Sequence, residues 1–345
     1  MAGAGYRTFQ SGEVLTSTNV QTYLMDQAVQ VYAGTAERGS AVPTPSAGMV
    51  AYSTATGLQV YNGSAWVDVG GGYGAATGGQ STATATISGV DYTILTFNST
   101  GTLTNTKAGF FDYLLIGGGT GALNYTTGGG VATSGCGAGQ VVFGSIYLDA
   151  NQTITIGAGS SPLVYSASVN VFNEASPTTI AATSPFTQTA LNGFWGMNIG
   201  GGSLAYVGGG GGCFSTGTSA ALTESLAHGY RGGNSVNTTS AGGGGGQSAR
   251  GGNGSGTTGG AGGNGVDISS FIGGSASYRA TGGGGGGTVT GGAGGNSSAS
   301  SNAGVTGTAF NSASANSGSG GGGGVSILVS GGNGGSGVCF IRWKV

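Results

Sequence analysis

Residues 280–288 read ATGGGGGGT, and the six consecutive glycines at 282–287 decide how the rest of the chain is read. Glycine loses more backbone entropy on folding than any other residue, so a lone run of this kind belongs to a flexible linker. This run is not alone. Runs of at least five glycines also occupy 208–212, 242–246 and 320–324, so that the four starts lie 34, 40 and 38 residues apart. The spacing is too loose for a strict solenoid and regular enough for one rod that returns four times. Order in such a rod needs a return that only glycine can give. Without Cβ atoms, extended left-handed helices of three residues per turn pack closely, and their amides, which have no partner within the segment, bond to neighbouring segments. A five-residue run of this form spans about 16 Å. A larger side chain inside the bundle is expected to force neighbours apart, as at the crowded axis of collagen.

Composition sharpens this. Glycine accounts for 83 of 345 residues, and 48 of them fall in residues 208–345. Collagen is excluded by five prolines and the lack of glycine at every third position. Charge-driven disorder goes with low hydrophobicity and high net charge, whereas mean hydropathy here is +0.11 and net charge is −2. No window approaches 18 consecutive apolar residues, so no membrane insertion is expected. No basic start with an apolar core suggests a secretory leader. Residues 208–345 carry five basic and two acidic side chains, too weak an excess for a phosphate-binding surface, and no nucleic-acid partner is expected. Cys136, Cys213 and Cys339 form an odd set without metal spacing; Cys136 and Cys213, which lie among glycines, read as small buried thiols, and a chain made in the cytosol fits best.

Near the start, residues 17–33 carry Val20, Tyr23, Leu24, Gln27, Ala28 and Val31 at helical spacing, with Ser17, Thr18 or Asn19 as caps and Gly34 as a stop. One helix cannot bury this stripe alone. Val20, Tyr23, Leu24, Ala28 and Val31 are therefore candidates for an oligomer seam, or else pack within their own domain. Short strands follow at 49–52, 58–61 and 65–69, the last two joined through the hairpin signal Asn62-Gly63. Strand composition recurs at 85–87, 92–97, 101–104, 113–116, 140–148, 153–156, 163–172, 325–329 and 338–343.

Two resemblances attach to these residues. Pro43, Pro45, Gly48, Met49, Val50 and Tyr52, followed by Val60, Tyr61, Gly63, Trp66 and Val67, resemble a small module common in bacteriophage tail fibres and other virion appendages. Residues 97–103, Tyr113-Leu114-Leu115-Ile116-Gly117-Gly118-Gly119, 141–148, 152–159, 280–287 and 334–343 resemble, in that order, the glycine-rich domain of many phage fibre proteins. That likeness implies a β frame, with first and last strands paired, around packed polyglycine II helices. It is also similar in style to detachable phage adhesins with variable loops between glycine motifs. The glycine-poor stretch 160–198 departs from the pattern.

The expected fold is thus mainly β with a short N-terminal helix. It divides into an attachment or oligomerisation segment (1–35), a small β-hairpin module (36–70), a Gly/Ser/Thr linker (71–84) and a β-framed polyglycine II domain (85–345).

Catalytic patterns are missing. Glycine-rich text generates G-x-G-x-x-G about five times by chance, without the strand–turn–helix context that gives it meaning. Lys107 and Lys344 do not follow glycine, so there is no P-loop, and no G-x-S-x-G elbow occurs. Residues 262–268 (GGNGVDI) match the start of a calcium-binding nonapeptide, but Ser269 stands where an aliphatic residue belongs and no tandem copy follows. No catalytic residue, metal or cofactor is expected. The receptor-contact candidates are Phe214, His228, Tyr230, Arg231, Tyr278, Arg279 and Phe310, which lie between glycine runs. Aromatic and arginine side chains on rigidly held loops suit recognition, or else anchor their loops to the frame.

The reading that unites these features is a non-enzymatic virion protein assembled in the host cytoplasm. In it, the N-terminal segment binds other virion proteins and the glycine-rich domain binds a host glycan or protein, in a homo-oligomer with a trimer favoured. The alternatives are a head fibre, decoration or connector subunit, and a polysaccharide-degrading appendage enzyme.

Overall fold

The computed structural model describes residues 10–20, 29–54, 56–69, 72–125, 132–165, 170–171, 175–181, 187–197, 209–214, 229–235, 238–296, 311–325 and 331–345. The chain is mainly β and divides into two units, Met1–Gly72 and Tyr73–Val345.

Unit 1 holds helices α1 (Ser17–Val20) and α2 (Thr35–Ala41) and a four-stranded sheet of β1 (Gln30–Tyr32), β2 (Val50–Ser53), β3 (Gly57–Tyr61) and β4 (Trp66–Asp68). The Asn62-Gly63 turn forms as its residues dictate. The Asn62 carboxamide oxygen accepts from the Ser64 and Ala65 amides at 2.9 and 2.8 Å, and Gly63 takes φ +103°. The helix expected over 17–33 is corrected. Among its described residues Ser17–Val20 is helical, and Gln30–Tyr32 is a strand parallel to β2. The physical reason lies in Val29-Gln30-Val31-Tyr32, where β-branched Val29 and Val31 stand at period two and Gln30–Tyr32 gain a ladder to β2. Val31 therefore does not belong to a helical seam. Tyr23, Leu24 and Ala28 lie outside the described residues. Because β1 pairs with β2, the compositional boundary at 35 falls inside one sheet.

Unit 2 is a sandwich with a glycine lattice growing from one end. Its strands β5 (Ala75–Thr77), β6 (Ser81–Ile87), β7 (Val90–Phe97), β8 (Gly101–Lys107), β9 (Gly109–Ile116), β10 (Leu123–Tyr125), β11 (Val141–Leu148), β12 (Gln152–Thr155), β13 (Leu163–Tyr165), β14 (Asn170–Val171), β15 (Thr178–Ala181), β16 (Gln188–Ala190), β17 (Gly193–Met197), β18 (Gly209–Phe214), β19 (Val266–Asp267), β20 (Tyr278–Arg279) and β21 (Val338–Lys344) are joined by one helix, α3 (Ser269–Ile272). The main sheets have the orders β11-β9-β21-β7-β6 and β16-β15-β12-β8-β5. The linker expected over 71–84 is also corrected, since it contains β5 and most of β6. Threonine and alanine in Ser81–Thr84 read as linker, yet suit the exposed start of an edge strand.

The closing strand is central. In β21, Ile341 pairs with Leu95 on β7 and Tyr113 on β9. Alternation sends Leu95, Phe97, Phe111, Leu115 and Ile341 onto the second sheet, where they meet Leu103, Ile154 and Ile180. Phe111 and Trp343 pack edge to face at 5.7 Å. The opposite face sends Ile94, Leu114, Ile116, Val338 and Phe340 against Ile268, Phe271, Ala138 and Ala280, which belong to α3 and the root of the lattice. Each such fully buried side chain stabilises the fold by about 1.5–3 kcal/mol.

The run 282–287 shows how the lattice is built. The amides of Gly282 and Gly285 donate to the carbonyls of Gly263 and Gly260, and those of Gly283 and Gly286 to Cys136 and Thr133, at 2.8–3.0 Å. The carbonyls of Gly283 and Gly286 accept from Gly244 and Ala241, and those of Gly282 and Gly285 from Gly295 and Gly292. Thr281 and Gly284 accept from Gly320 and Gly323. Partners recur every third residue, which is the screw of a polyglycine II helix, and descending partner numbers mark four of these five neighbours as antiparallel. No glycine of the run has positive φ, so backbone conformation is not what demands glycine here. Close approach is. A Cβ at Gly283 would lie 2.0 Å from the Gly321 carbonyl oxygen, and one at Gly285 would lie 2.2 Å from that of Ala241.

Two substitutions separate this constraint from ordinary glycine effects. Gly283→Ala is expected to cost about 3 kcal/mol or more, because the obstructing atoms are backbone and cannot rotate away. Gly101→Ala on β8 meets nothing closer than 3.7 Å and is expected to be neutral or to stabilise by up to about 1 kcal/mol. Denaturant unfolding of the two variants checks the contrast.

Candidate functional site

The lattice has two ends of different chemistry. At the sheet end, Gly117 follows β9 and Gly337 precedes β21, with the Gly337 amide donating to Gly157 at 2.8 Å. From Ala280, packed against the sheet, the run 282–287 leads away to the turn at 288–290. There it meets two other turns, at 238–240 and 256–258. The Thr288 amide donates to the Thr239 carbonyl at 2.9 Å, Val289 to Thr257 at 3.0 Å, and Gly259 to Thr290 at 2.8 Å. The Thr239 hydroxyl donates to the Gly256 carbonyl at 2.6 Å, and Ser255 and Thr258 exchange amide–carbonyl bonds at 2.9 and 2.8 Å. Gly256, at φ +56°, supplies the left-handed conformation this tight turn requires.

The three turns thus form one surface. Its exposed residues include Thr238, Ser255, Thr257, Thr258, Thr288, Val289 and Thr290. It carries hydroxyls and methyls and no charge, on turns that are bonded to each other and rooted in the lattice. Such a surface can donate to and accept from the hydroxyls or amides of a ligand without first being ordered. Sequence reasoning passed over these residues because threonine beside glycine reads as low-complexity filler. The available signal is positional: Thr238-Thr239-Ser240 and Thr257-Thr258 immediately precede glycine-rich legs, and Thr288-Val289-Thr290 immediately follows one.

The expected contact residues lie elsewhere. Tyr230 and Arg231 sit at the sheet end, where the Tyr230 amide donates to Gly246 and the Arg231 carbonyl accepts from Gly251. Tyr278 and Arg279 form β20, paired with β19 at the same end. The half-buried Arg279 guanidinium donates to the Ser277 hydroxyl and the Tyr278 carbonyl, both at 3.0 Å, and burial lowers its pKa. This is the geometry of an anchor. Of Phe214 only the β18 backbone is described, while His228 and Phe310 lie outside the described residues.

The calcium-like stretch has a structural use. Asp267 accepts from the Ser269 amide at 3.0 Å and the Ser277 amide at 2.8 Å, and its second oxygen accepts from the Ser269 hydroxyl at 3.0 Å. Both carboxylate oxygens are thereby committed to starting α3 and closing the hairpin, and these amide bonds lower the Asp267 pKa. Among the described residues no group of three metal-ligating side chains occurs. Arg342 clamps α3 to the sheet. Its guanidinium lies 4.3 Å from the Tyr92 ring centre and 4.2 Å from that of Phe271, pairs with Asp112 at 3.3 Å, and donates to the Phe271 carbonyl at 2.7 Å. Cys136 sits inside the lattice with its thiol donating to the Gly121 carbonyl at 3.0 Å, and burial pushes its pKa up to about 12. Cys339 is raised further by burial in the sandwich.

A family model described as a glycine-rich domain matches residues 96–344, from the end of β7 to the end of β21. The chain belongs to that glycine-rich domain family. No curated protein and no solved structure matches it. The matched region contains β21, which closes the main sheet, and the lattice legs described above.

Two outcomes follow from the buried and bonded groups. A thiol-alkylating reagent at pH 8 is expected to leave Cys136 and Cys339 unmodified in the native protein and to modify both in denaturant, as read by peptide mass spectrometry. Asp267, with its lowered pKa, contributes fully above the ordinary carboxylate value of about 3.9, and that contribution is lost as pH falls through the depressed value. The difference in melting temperature between the wild type and Asp267→Ala is therefore expected to shrink on acidification through that range.

Proposed function

We propose that this protein is a non-enzymatic bacteriophage virion appendage subunit, a tail fibre or adhesin, that recognises the host cell surface through loops of its glycine-rich domain. The observation that supports this reading is the threonine-rich surface formed by the turns at 238–240, 256–258 and 288–290. It stands at the end of the lattice away from the sheets and is cross-bonded between turns. Recognition residues concentrate on loops held by rigid scaffolds, and a preordered loop loses little entropy on binding. Uncharged hydroxyls suit a host glycan or a polar protein loop, and binding of this kind depends only weakly on salt.

The test is competition. Purified protein is expected to adsorb to host cells and block infection, and Thr257→Lys with Thr290→Lys is expected to weaken blocking by about tenfold or more without lowering the melting temperature. Unchanged blocking by that variant would remove the tip from the mechanism. A wild type that neither adsorbs nor blocks would overturn the adhesin reading and favour a decoration subunit that binds other virion proteins.

A further inference from the structure

Asparagine followed by glycine occurs at Asn62-Gly63, Asn192-Gly193, Asn253-Gly254, Asn264-Gly265 and Asn333-Gly334. The pair is chemically labile. Glycine has no side chain to shield its amide nitrogen, which can add to the neighbouring carboxamide and close a five-membered imide ring. The sequence makes these pairs alike, and the structure separates them. In four of them the glycine amide is already committed. Gly193 donates to the Gly118 carbonyl at 2.7 Å, Gly254 to that of Asn234 at 2.9 Å, Gly334 to that of Ser160 at 3.0 Å, and Gly265 to the Asn296 carboxamide oxygen at 3.1 Å. Their surroundings are tight, since a Cβ on any of these glycines would lie 2.0–2.9 Å from a backbone atom. Asn62-Gly63 differs on both counts. Among the described residues the Gly63 amide has no acceptor. Asn62, Gly63, Ser64 and Ala65 are exposed, and a Cβ at Gly63 would meet only that of Ala47, at 3.5 Å. The Asn62 carboxamide oxygen accepts from the Ser64 amide and hydroxyl, both at 2.9 Å, and from the Ala65 amide at 2.8 Å. Donors on that oxygen stabilise the negative charge that forms there when a nitrogen adds to the carbon.

We propose that Asn62 is a self-modification site, converted to aspartate and isoaspartate through attack by the Gly63 amide nitrogen. The bond from that nitrogen to Cγ forms and the Cγ–Nδ2 bond breaks, and the displaced nitrogen leaves with the Gly63 proton as ammonia. Water then opens the imide. Opening at Cγ gives aspartate, and opening at the Asn62 main-chain carbonyl gives isoaspartate. Nothing is oxidised or reduced. The products differ in what they do to the turn. Aspartate keeps the acceptor for the Ser64 and Ala65 amides and charges it, which strengthens both bonds. Isoaspartate runs the main chain through Cβ and Cγ, so the accepting oxygen becomes a backbone carbonyl. The link between Tyr61 and Trp66, which pair across β3 and β4, is then one carbon longer. Either product adds a negative charge to a chain of net charge −2. At the other four pairs, ring closure first has to break a glycine amide bond to a packed neighbour, so the fold protects them. The site is independent of the receptor-binding reading above, because it uses the β3–β4 turn of unit 1 alone.

Incubation of the full chain at pH 8, followed by peptide mass spectrometry, tests it. In the native protein Asn62 is expected to deamidate, with isoaspartate among the products, at least about 100-fold faster than Asn192, Asn253, Asn264 or Asn333, whose rates are limited by opening of the fold. In denaturant that opening is no longer needed, and the rates are expected to converge to within about tenfold. Gly283→Ala loosens the lattice where the adjacent Gly282 amide bonds to Gly263. It is expected to speed Asn264 by about tenfold or more and to leave Asn62 unchanged. Native Asn62 that deamidates no faster than the other four overturns the proposal. So does a native order of rates that persists in denaturant, which would place the cause in neighbouring sequence, or a product that is aspartate alone, which would exclude the imide route. An Asn264 rate unmoved by Gly283→Ala would overturn the protection assigned to the lattice.

Discussion

The amide protons of an extended glycine segment have no acceptor within that segment, and the architecture of the larger unit follows from this constraint. In an α-helix each leg would satisfy itself. Here each leg depends on several others, and the run 282–287 exchanges bonds with five neighbours drawn from across residues 133–323. A lattice of this kind forms only as a whole, because one leg without its neighbours leaves its amides unpaired. The same constraint limits what else enters. The other residues among the legs are small, such as Ala138, Thr133, Cys136, Ala241, Thr281 and Ser319, and several use their own side chains to complete the bonding.

The sandwich solves a problem that the lattice cannot. Glycine legs bury almost no apolar area, so hydrophobic stabilisation has to come from elsewhere. It comes from the two sheets and α3, with β21 inserted between β7 and β9 to join the end of the chain to its middle. Lattice legs leave directly from strand ends, so the positions of the legs are set by strands already held in register. The scarcity of charge is consistent with this division of labour. Among the described residues, partly buried charged side chains such as Arg342 with Asp112, Arg279, and Asp267 with the Ser269 and Ser277 amides serve as local fasteners.

Much of the β frame was legible in the sequence. The cores of β7, β9, β11, β12 and β21, the Asn62-Gly63 hairpin and the glycine legs at 242–246, 282–287 and 320–324 can all be read from residue type, because apolar alternation and glycine runs are local signals; the fourth run is corrected, since Gly209–Phe214 forms β18 against β17. Three features were not. Strand β1 was hidden by residues that also satisfy helical spacing, and its pairing with β2 decides between the two. The first part of strand β6, Ser81–Thr84, was hidden by a composition that resembles a linker. The surface at the turns 238–240, 256–258 and 288–290 was hidden because those turns are up to about fifty residues apart and become neighbours only through the lattice.

The sequence by itself determined that the chain is β-rich, poor in charged side chains and organised around packed glycine, because each of these depends on which side chains are present or missing. Tertiary structure alone decided which leg bonds to which and where the threonines gather. A run of glycines specifies that neighbours can approach closely but carries no side chain to say which neighbours they are. That selection is made at a distance, by the register of the sheets from which the legs emerge.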